Sequence, residues 1–333
     1  MIKILRKVDI GVMSAFCAAL ALGSVTIFPP EALAQTYPTK QIRLLVTTAP
    51  GAGPDIVARL IGGKLTEALG QQIIVDNRTG ASGRIATEIA ARAAPDGYTL
   101  MMMQSDHTAV YAMHENLSYN LLKDFSPIIL LGATPRLLVV NPSLPVTSVK
   151  ELVTLAKSQP GALRFGSGGT GSAPHLTMEF FKFMAGVEIF HVPYKGSVAA
   201  ITNTMTGEVH MTFNAIPPLL PLIKSGKVRA LGVSSSERTT LVPGLPSISE
   251  SVPGYESSGW YGLVAPAKTA PAILSELNAE AIKILKTSEI RERMASLGIT
   301  PLGTSRQDFA LHLGRQVEQM RKIVKLSGAR REN

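Results

Sequence analysis

Twice in this chain a short apolar run ends in a glycine-rich loop that opens directly onto a helix carrying proline in its first turn. The first unit runs from the strand at residues 42–46 through Thr47-Thr48-Ala49-Pro50-Gly51-Ala52-Gly53-Pro54-Asp55. Its helix covers residues 55–69, with Ile56, Leu60, Ile61, Leu65 and Leu69 on one face. The second runs from Arg164-Phe165 through Gly166-Ser167-Gly168-Gly169-Thr170-Gly171-Ser172-Ala173-Pro174-His175 into a helix over residues 174–184. Around them, strands are expected at residues 73–75, 98–103, 128–131, 137–140, 189–192, 209–213, 228–233 and 263–264. Helices are expected at 84–94, 149–157, 198–206 and 219–225, with a helical tail at 272–286, 289–296 and 305–326. Strands alternating with helices predict an α/β fold with parallel sheets. No low-complexity linker divides the chain, so a division into domains must be made by strands that cross between lobes.

The 333 residues suffice for about two domains, and 45% apolar residues rule out a disordered chain. The first residues read as an export signal. Lys3, Arg6 and Lys7 precede an apolar stretch at residues 10–28, and Ala32-Leu33-Ala34 forms an A-x-A cleavage pattern before Gln35. Cleavage after Ala34 removes Cys17, the single cysteine, which excludes a disulfide framework and cysteine metal sites. Cys17 lacks the small preceding residue of a lipobox, so a soluble periplasmic protein is expected. Cleavage also leaves the net charge of +9 one unit lower. With no basic–aromatic stripe, that charge suits attraction of small anions better than nucleic-acid binding.

Both glycine loops leave backbone N–H groups free at a helix start, where the helix dipole favours an anion. Ser167, Thr170 and Ser172 add hydroxyls. A tight strand-to-helix turn is the plain alternative for either loop, but two such loops about 120 residues apart suit facing lobes that clamp a dianion. Other readings fit less well. The spacing Gly166, Gly168, Gly171 matches a dinucleotide fingerprint, yet Glu188 begins rather than ends the next apolar run. Gly63-Lys64 and Gly226-Lys227 lack the following Ser or Thr of a P-loop, and no G-x-S-x-G surrounds Ser82 or Ser167. The histidines form no metal-binding motif, so neither a metal nor a cofactor is expected. His175 alone among them falls in a loop. Asp55, beside an anion site, is expected to hold backbone N–H groups and neighbouring turns. Arg84 is placed either to grip a carboxylate or to lie in solvent.

Longer strings carry a family resemblance. Tyr37-Pro38, Ile42-Arg43-Leu44, Ala49-Pro50-Gly51, Asp55-Ile56-Val57-Ala58-Arg59, Asn77-Arg78 and Gly80-Ala81 resemble the start of a mature Bordetella-uptake-gene (Bug) protein. Ala93-Ala94-Pro95-Asp96-Gly97-Tyr98-Thr99-Leu100, His191-Val192-Pro193-Tyr194-Lys195-Gly196, Leu245-Pro246-Ser247-Ile248-Ser249-Glu250 and Trp260-Tyr261-Gly262-Leu263-Val264-Ala265-Pro266 continue it across residues 37–325. The Bug family supplies the extracytoplasmic receptors of tripartite tricarboxylate transporters.

The resemblance implies a two-lobed, type II-like periplasmic-binding-protein fold, each lobe a sheet flanked by helices. Lobe one comprises residues 35–138 and 258–333, and lobe two residues 139–257, with Trp260 near the hinge. It implies a ligand carboxylate held by Pro50, Gly51, Ala52, Gly53 and Asp55 and by Ser167, Gly168, Thr170, Gly171 and Ser172, with Ser105 also facing the cleft. His175, Arg84 and Asn214 complete the candidate site. Ala52 replaces a usual glycine, Asn214 a frequent Asp, and Arg84 a small residue or Asn. The last two make the cleft less negative and favour a dianionic acid without an amino group. The expected function is capture of a small organic carboxylate, a di- or tricarboxylate or an aromatic acid, by a monomeric receptor that passes it to integral-membrane transporter subunits. An orphan sensory or scavenging protein and an exported enzyme are the alternatives. The absence of a nucleophile–base motif argues against the enzyme.

Overall fold

The structure, a computed structural model, describes residues 37–170 and 172–326. The proposed leader and Gly171 therefore lie outside the described residues. The chain divides into two units at Lys40, and the architecture below is that of the unit beginning there, over its described residues.

Its elements are β1 (Ile42–Val46), α1 (Gly53–Leu69), β2 (Ile73–Asn77), α2 (Arg84–Ala91), β3 (Thr99–Gln104), α3 (Ser105–Met113), β4 (Phe125–Thr134) and β5 (Arg136–Val140). Then follow α4 (Val149–Ser158), β6 (Arg164–Ser167), α5 (Ala173–Ala185), β7 (Phe190–Pro193), α6 (Ser197–Thr206), β8 (Met211–Ala215), α7 (Ile216–Lys224) and β9 (Arg229–Val233). The chain ends with β10 (Gly259–Pro266), α8 (Pro271–Lys286), α9 (Ser288–Ser296), β11 (Thr300–Pro301) and α10 (Arg306–Leu326). Helix α1 shows how local sequence builds these units. Proline sits in its first turn, Val57, Ala58, Ile61 and Leu65 bury one face, and Gly70 stops it in the left-handed conformation at φ 68°.

Two sheets result, ordered β11-β4-β10-β3-β1-β2 and β7-β6-β8-β5-β9. Each is mixed, which corrects the expectation of parallel sheets. β1, β2 and β3 run parallel, as do β6, β7 and β8, but β10 is antiparallel to β3 and β4, and β5 is antiparallel to β8 and β9. β11 is also antiparallel to β4 but follows α9, whereas β5 and β10 share one cause of reversal. The parallel strands end at the boundary between the sheets, whereas β5 and β10 begin there, just after the chain has crossed, and must run the other way.

The chain passes into the second sheet between Thr134 and Arg136, and β10 re-enters the first at Gly259. Ser234 stitches the two crossings together. Its N–H donates to Arg136 O at 2.8 Å, its Oγ accepts from Arg136 N at 2.8 Å, and its carbonyl accepts from Ser257 N at 2.9 Å. The first lobe's core contains Leu45, Met101, Phe125, Leu130, Trp260 and Phe309. Trp260, the second residue of β10, is fully buried and meets Phe309 edge-on at 5.6 Å. The second core gathers Phe165, Phe181, Phe213 and Tyr255.

Helix α10 belongs to both lobes. Phe309, Leu313 and Val317 enter the first core, while Ile323 is buried in the second. Among the described residues, no helix is long and apolar enough to cross a membrane.

Candidate functional site

The first glycine loop leaves β1 and is pinned from behind. Asp55, only 2% exposed, accepts Gly51 N–H at 2.8 Å, Arg59 Nε at 3.0 Å and Asn77 Nδ2 at 2.9 Å. Asn77 Nδ2 also donates to Thr48 O at 2.9 Å, and Arg59 Nη2 donates to Asn77 Oδ1 at 3.1 Å. Burial by itself would raise the Asp55 carboxyl, but the donors from Arg59, Gly51 and Asn77 outweigh it and hold it below the usual range. Asp55 thus spends its oxygens on the protein, so its candidate role as a ligand contact becomes one of holding the loop. Pro50 and Gly51 are exposed, and Gly51 adopts φ +84°, which favours glycine. Ala52 is half-buried. Gly53 opens α1, and a Cβ there would stand 2.8 Å from Tyr261 Oη. Tyr261 therefore reaches the loop from β10.

The second loop is braced in the same manner. Ser167, fully buried, lies 2.7 Å from His191 Nε2, donates to Gly169 O at 3.1 Å and accepts Gly169 N–H at 3.2 Å. Tyr194 N–H donates to Ser167 O at 3.0 Å. A Cβ on Gly168 would come within 3.1 Å of Ser197 N, so this segment rests directly on the start of α6. Thr170 is exposed. Ser172, at the N-cap of α5, makes no side-chain capping bond, and its Oγ is buried without a hydrogen-bond partner.

His175 is turned inward, stacked on His191 at 4.1 Å between ring centroids and 3.9 Å from Glu179. Burial pushes both imidazoles down, His191 to about 4 with help from the positive potential of His175 and Lys182. Asn214 is buried and donates to Thr212 Oγ1 at 3.1 Å. Arg84 is exposed and bonds its own turn through Ala81 O at 3.2 Å. Ser167, His175 and Asn214 therefore support the site from within, and Arg84 stays outside the cavities. The spacing that placed these residues near a loop does not tell which way each side chain points.

Two cavities share lining residues beside the crossings, and the smaller of them spans both lobes. One, of about 250 Å³, is lined by Thr48, Ser82, Gly83, Gln104, Asp106 and His107, at the ends of β1, β2 and β3. The other, of about 160 Å³, has Ser105 and Asp106 on one side, Ala173 and Thr177 on the other, and Arg136 and Ser258 at the crossings. Asp106 and Val110 line both. Several buried polar atoms here have no hydrogen-bond partner: Thr48 Oγ1, Gln104 Oε1, His107 Nε2 and Ser258 Oγ. Such orphaned groups are uncommon in folded proteins and call for an outside partner. Sequence reasoning named Ser105 but missed Asp106, Arg136, Ser258 and Tyr261. Arg136 was the one with a signal, a charged side chain heading an otherwise apolar strand. Among the described residues, no group of three or more His, Cys, Asp or Glu could hold a metal.

The comparisons with known proteins fit this geometry. The sequence profile of the tripartite tricarboxylate transporter family receptor matches residues 57–329. The chain belongs to this receptor family. BugT of Bordetella pertussis is 33% identical over 300 residues, 89% of this chain and 92% of that protein. An R. palustris protein solved with adipate shares 36% identity and a TM-score of 0.67, covering 88% of this receptor and 98% of the other chain. A ligand-free TctC solute-binding protein from Polaromonas, 26% identical, covers 87% of this receptor and 99% of itself at a TM-score of 0.81. Periplasmic solute binding is the function of the family, and the two-lobed α/β fold of this receptor is that of its relatives.

Proposed function

We propose that this receptor captures a small organic acid between its lobes and delivers it to the membrane subunits of a tripartite tricarboxylate transporter. The observation that carries the reading is the set of unpartnered buried polar atoms at the lobe boundary: Thr48 Oγ1 in the first loop, Ser258 Oγ at a crossing and Ser172 Oγ at the start of α5. A carboxylate brought there meets hydroxyls and the N-termini of α1 and α5. Pro50, Gly51, Ala52, Gly53, Ser105, Gly168, Thr170 and Ser172 form the contacting surface, with Asp55, Ser167, His175 and Asn214 behind it. Adipate in a relative supports the ligand class. In this reading the receptor is exported, cleaved after Ala34 and monomeric.

A hydrolytic role has one point of contact with the structure, the 2.7 Å approach of Ser167 Oγ to His191 Nε2. Ser167 is fully buried, and among the described residues no carboxylate bonds His191 to orient it as a base. The pair serves the loop instead.

Native mass spectrometry of the purified protein, followed by calorimetry with a panel of organic acids, tests the reading. The expected result is a co-purified or titrated acid whose affinity falls about 10-fold in Ser172→Ala while the Tm is unchanged, since truncating an unpartnered hydroxyl removes no protein bond. A panel without any binder, or Ser172→Ala with wild-type affinity and a lower Tm, sinks it.

A further inference from the structure

Of the charged groups at the lobe boundary, Arg136 has the least to do within the protein. It is the first residue of β5, and its backbone is fixed by two bonds to Ser234. Its side chain lines the smaller cavity, partly buried, with burial pushing the guanidinium down. Among the described residues it makes no ion pair within 4.0 Å and no side-chain hydrogen bond. Other partly buried cations are matched: Arg43 with Asp76 at 2.6 Å, and Lys182 with Glu179 at 2.8 Å. A desolvated guanidinium without a counter-charge is costly, and a fold keeps one where something outside the fold completes it.

The space before it is arranged for that completion. Gly259 lacks a side chain where a Cβ would lie 3.5 Å from Arg136 Nη2, 3.5 Å from Ser105 Oγ and in collision with Thr134 Oγ1. Three polar side chains thus converge on one glycine, and the unpartnered Ser258 Oγ lines the same cavity. Asp106, on the same cavity, makes no ion pair with Arg136 and accepts Gln104 Nε2 at 3.0 Å. It lines the larger cavity too, so a ligand can run past it from the first loop to Arg136.

We propose that Arg136 is the specificity-determining residue of this receptor, gripping the second carboxylate of a linear dicarboxylate whose first carboxylate lies at the glycine loops. The planar fork of arginine matches a carboxylate in two parallel hydrogen bonds, with Ser105 and Ser258 supplying further donors. A monocarboxylate of equal length leaves the guanidinium unpaired and is rejected. The assignment rests on the carboxylate reading above and narrows it to acids with a charge at each end.

Calorimetry with adipate and hexanoate, which differ only in the second carboxylate, tests it on wild type, Arg136→Met and Arg136→Lys. Wild type should prefer adipate by about 30-fold or more, as expected for charge-assisted bonds. Arg136→Met should erase that preference while leaving hexanoate within about threefold of wild type and the Tm unlowered, because no protein partner is lost. Arg136→Lys should retain part of the preference. An Arg136→Met chain that keeps the preference, weakens both acids alike, or melts well below wild type overturns the assignment, the last two pointing to a strut at the crossing. If wild-type protein binds neither these acids nor any in the wider panel, the carboxylate reading itself falls and takes the assignment with it.

Discussion

The Asp55 carboxylate reaches back four residues to accept the Gly51 N–H at 2.8 Å, closing the first glycine loop onto its own helix. A negative charge therefore sits beneath a surface meant for an anion, neutralised by Arg59 at 3.0 Å and screened from the cleft by its own burial.

Asp55→Ala leaves Gly51 N–H, Asn77 and Arg59 without their acceptor. A loss of about 1–3 kcal/mol is expected from such unsatisfied donors, measurable by urea unfolding, together with weaker ligand binding. Asp55→Asn keeps acceptor oxygen and should cost less on both counts.

Gly53 and Tyr261 should be energetically coupled. The methyl group of Gly53→Ala meets Tyr261 Oη, whereas Tyr261→Phe removes the atom in the way. In a double-mutant cycle on ligand affinity, Gly53→Ala should cost about 1 kcal/mol more with Tyr261 than with Phe at that position. Additive effects would show that the loop moves aside freely.

The stacked histidines predict acid sensitivity. His191 titrates at about 4 when folded against an ordinary value of 6.5, so the unfolded chain takes up the proton first. Its contribution to stability is complete above about pH 6.5 and is lost as pH falls through about 4. Thermal melts across this window should show a shallower pH dependence in His191→Gln than in wild type. Equal slopes would place the titration elsewhere, His312 being another imidazole at about 4.

The far end of α10 should matter for stability more than for recognition. Ile323→Ala removes a buried side chain from the second core, at an expected cost of about 2–5 kcal/mol. Ligand affinity of the folded variant should stay within about threefold of wild type, as read by calorimetry.

Much of this architecture is legible in the sequence because its elements are locally driven. The α1 stripe, its first-turn proline and Gly70 report a helix without tertiary help. Helix α3 is different. It has no Ser, Thr, Asp or Asn at its N-cap and is closed instead by His107 Nδ1, which accepts Gln104 N–H at 3.1 Å, so the usual start signal is missing. The reversed direction of β5 and β10 is a property of topology, to which an apolar run is blind. The same divide holds for the site. Motif spacing located both glycine loops, but only coordinates separate Ser172, whose hydroxyl is left over, from Ser167, whose hydroxyl is used within the loop. Arg136, Ser258 and Tyr261 come from distant crossings and share no motif.

The interleaving of the lobes also sets an order of assembly. β10 lies between β3 and β4 in the first sheet, yet it is made after every strand of the second sheet. An emerging chain can complete the sheet of residues 136–233 while β1, β2 and β3 still wait for the strand that joins them to β4. The second sheet can thus form early, before α10 supplies Ile323 to its core, and the first stays a half-built edge until residue 266 is free to pair. During that interval β3 and β4 expose unpaired backbone, the kind of edge that recruits other chains. The cleft, which needs both crossings, is among the last features to form.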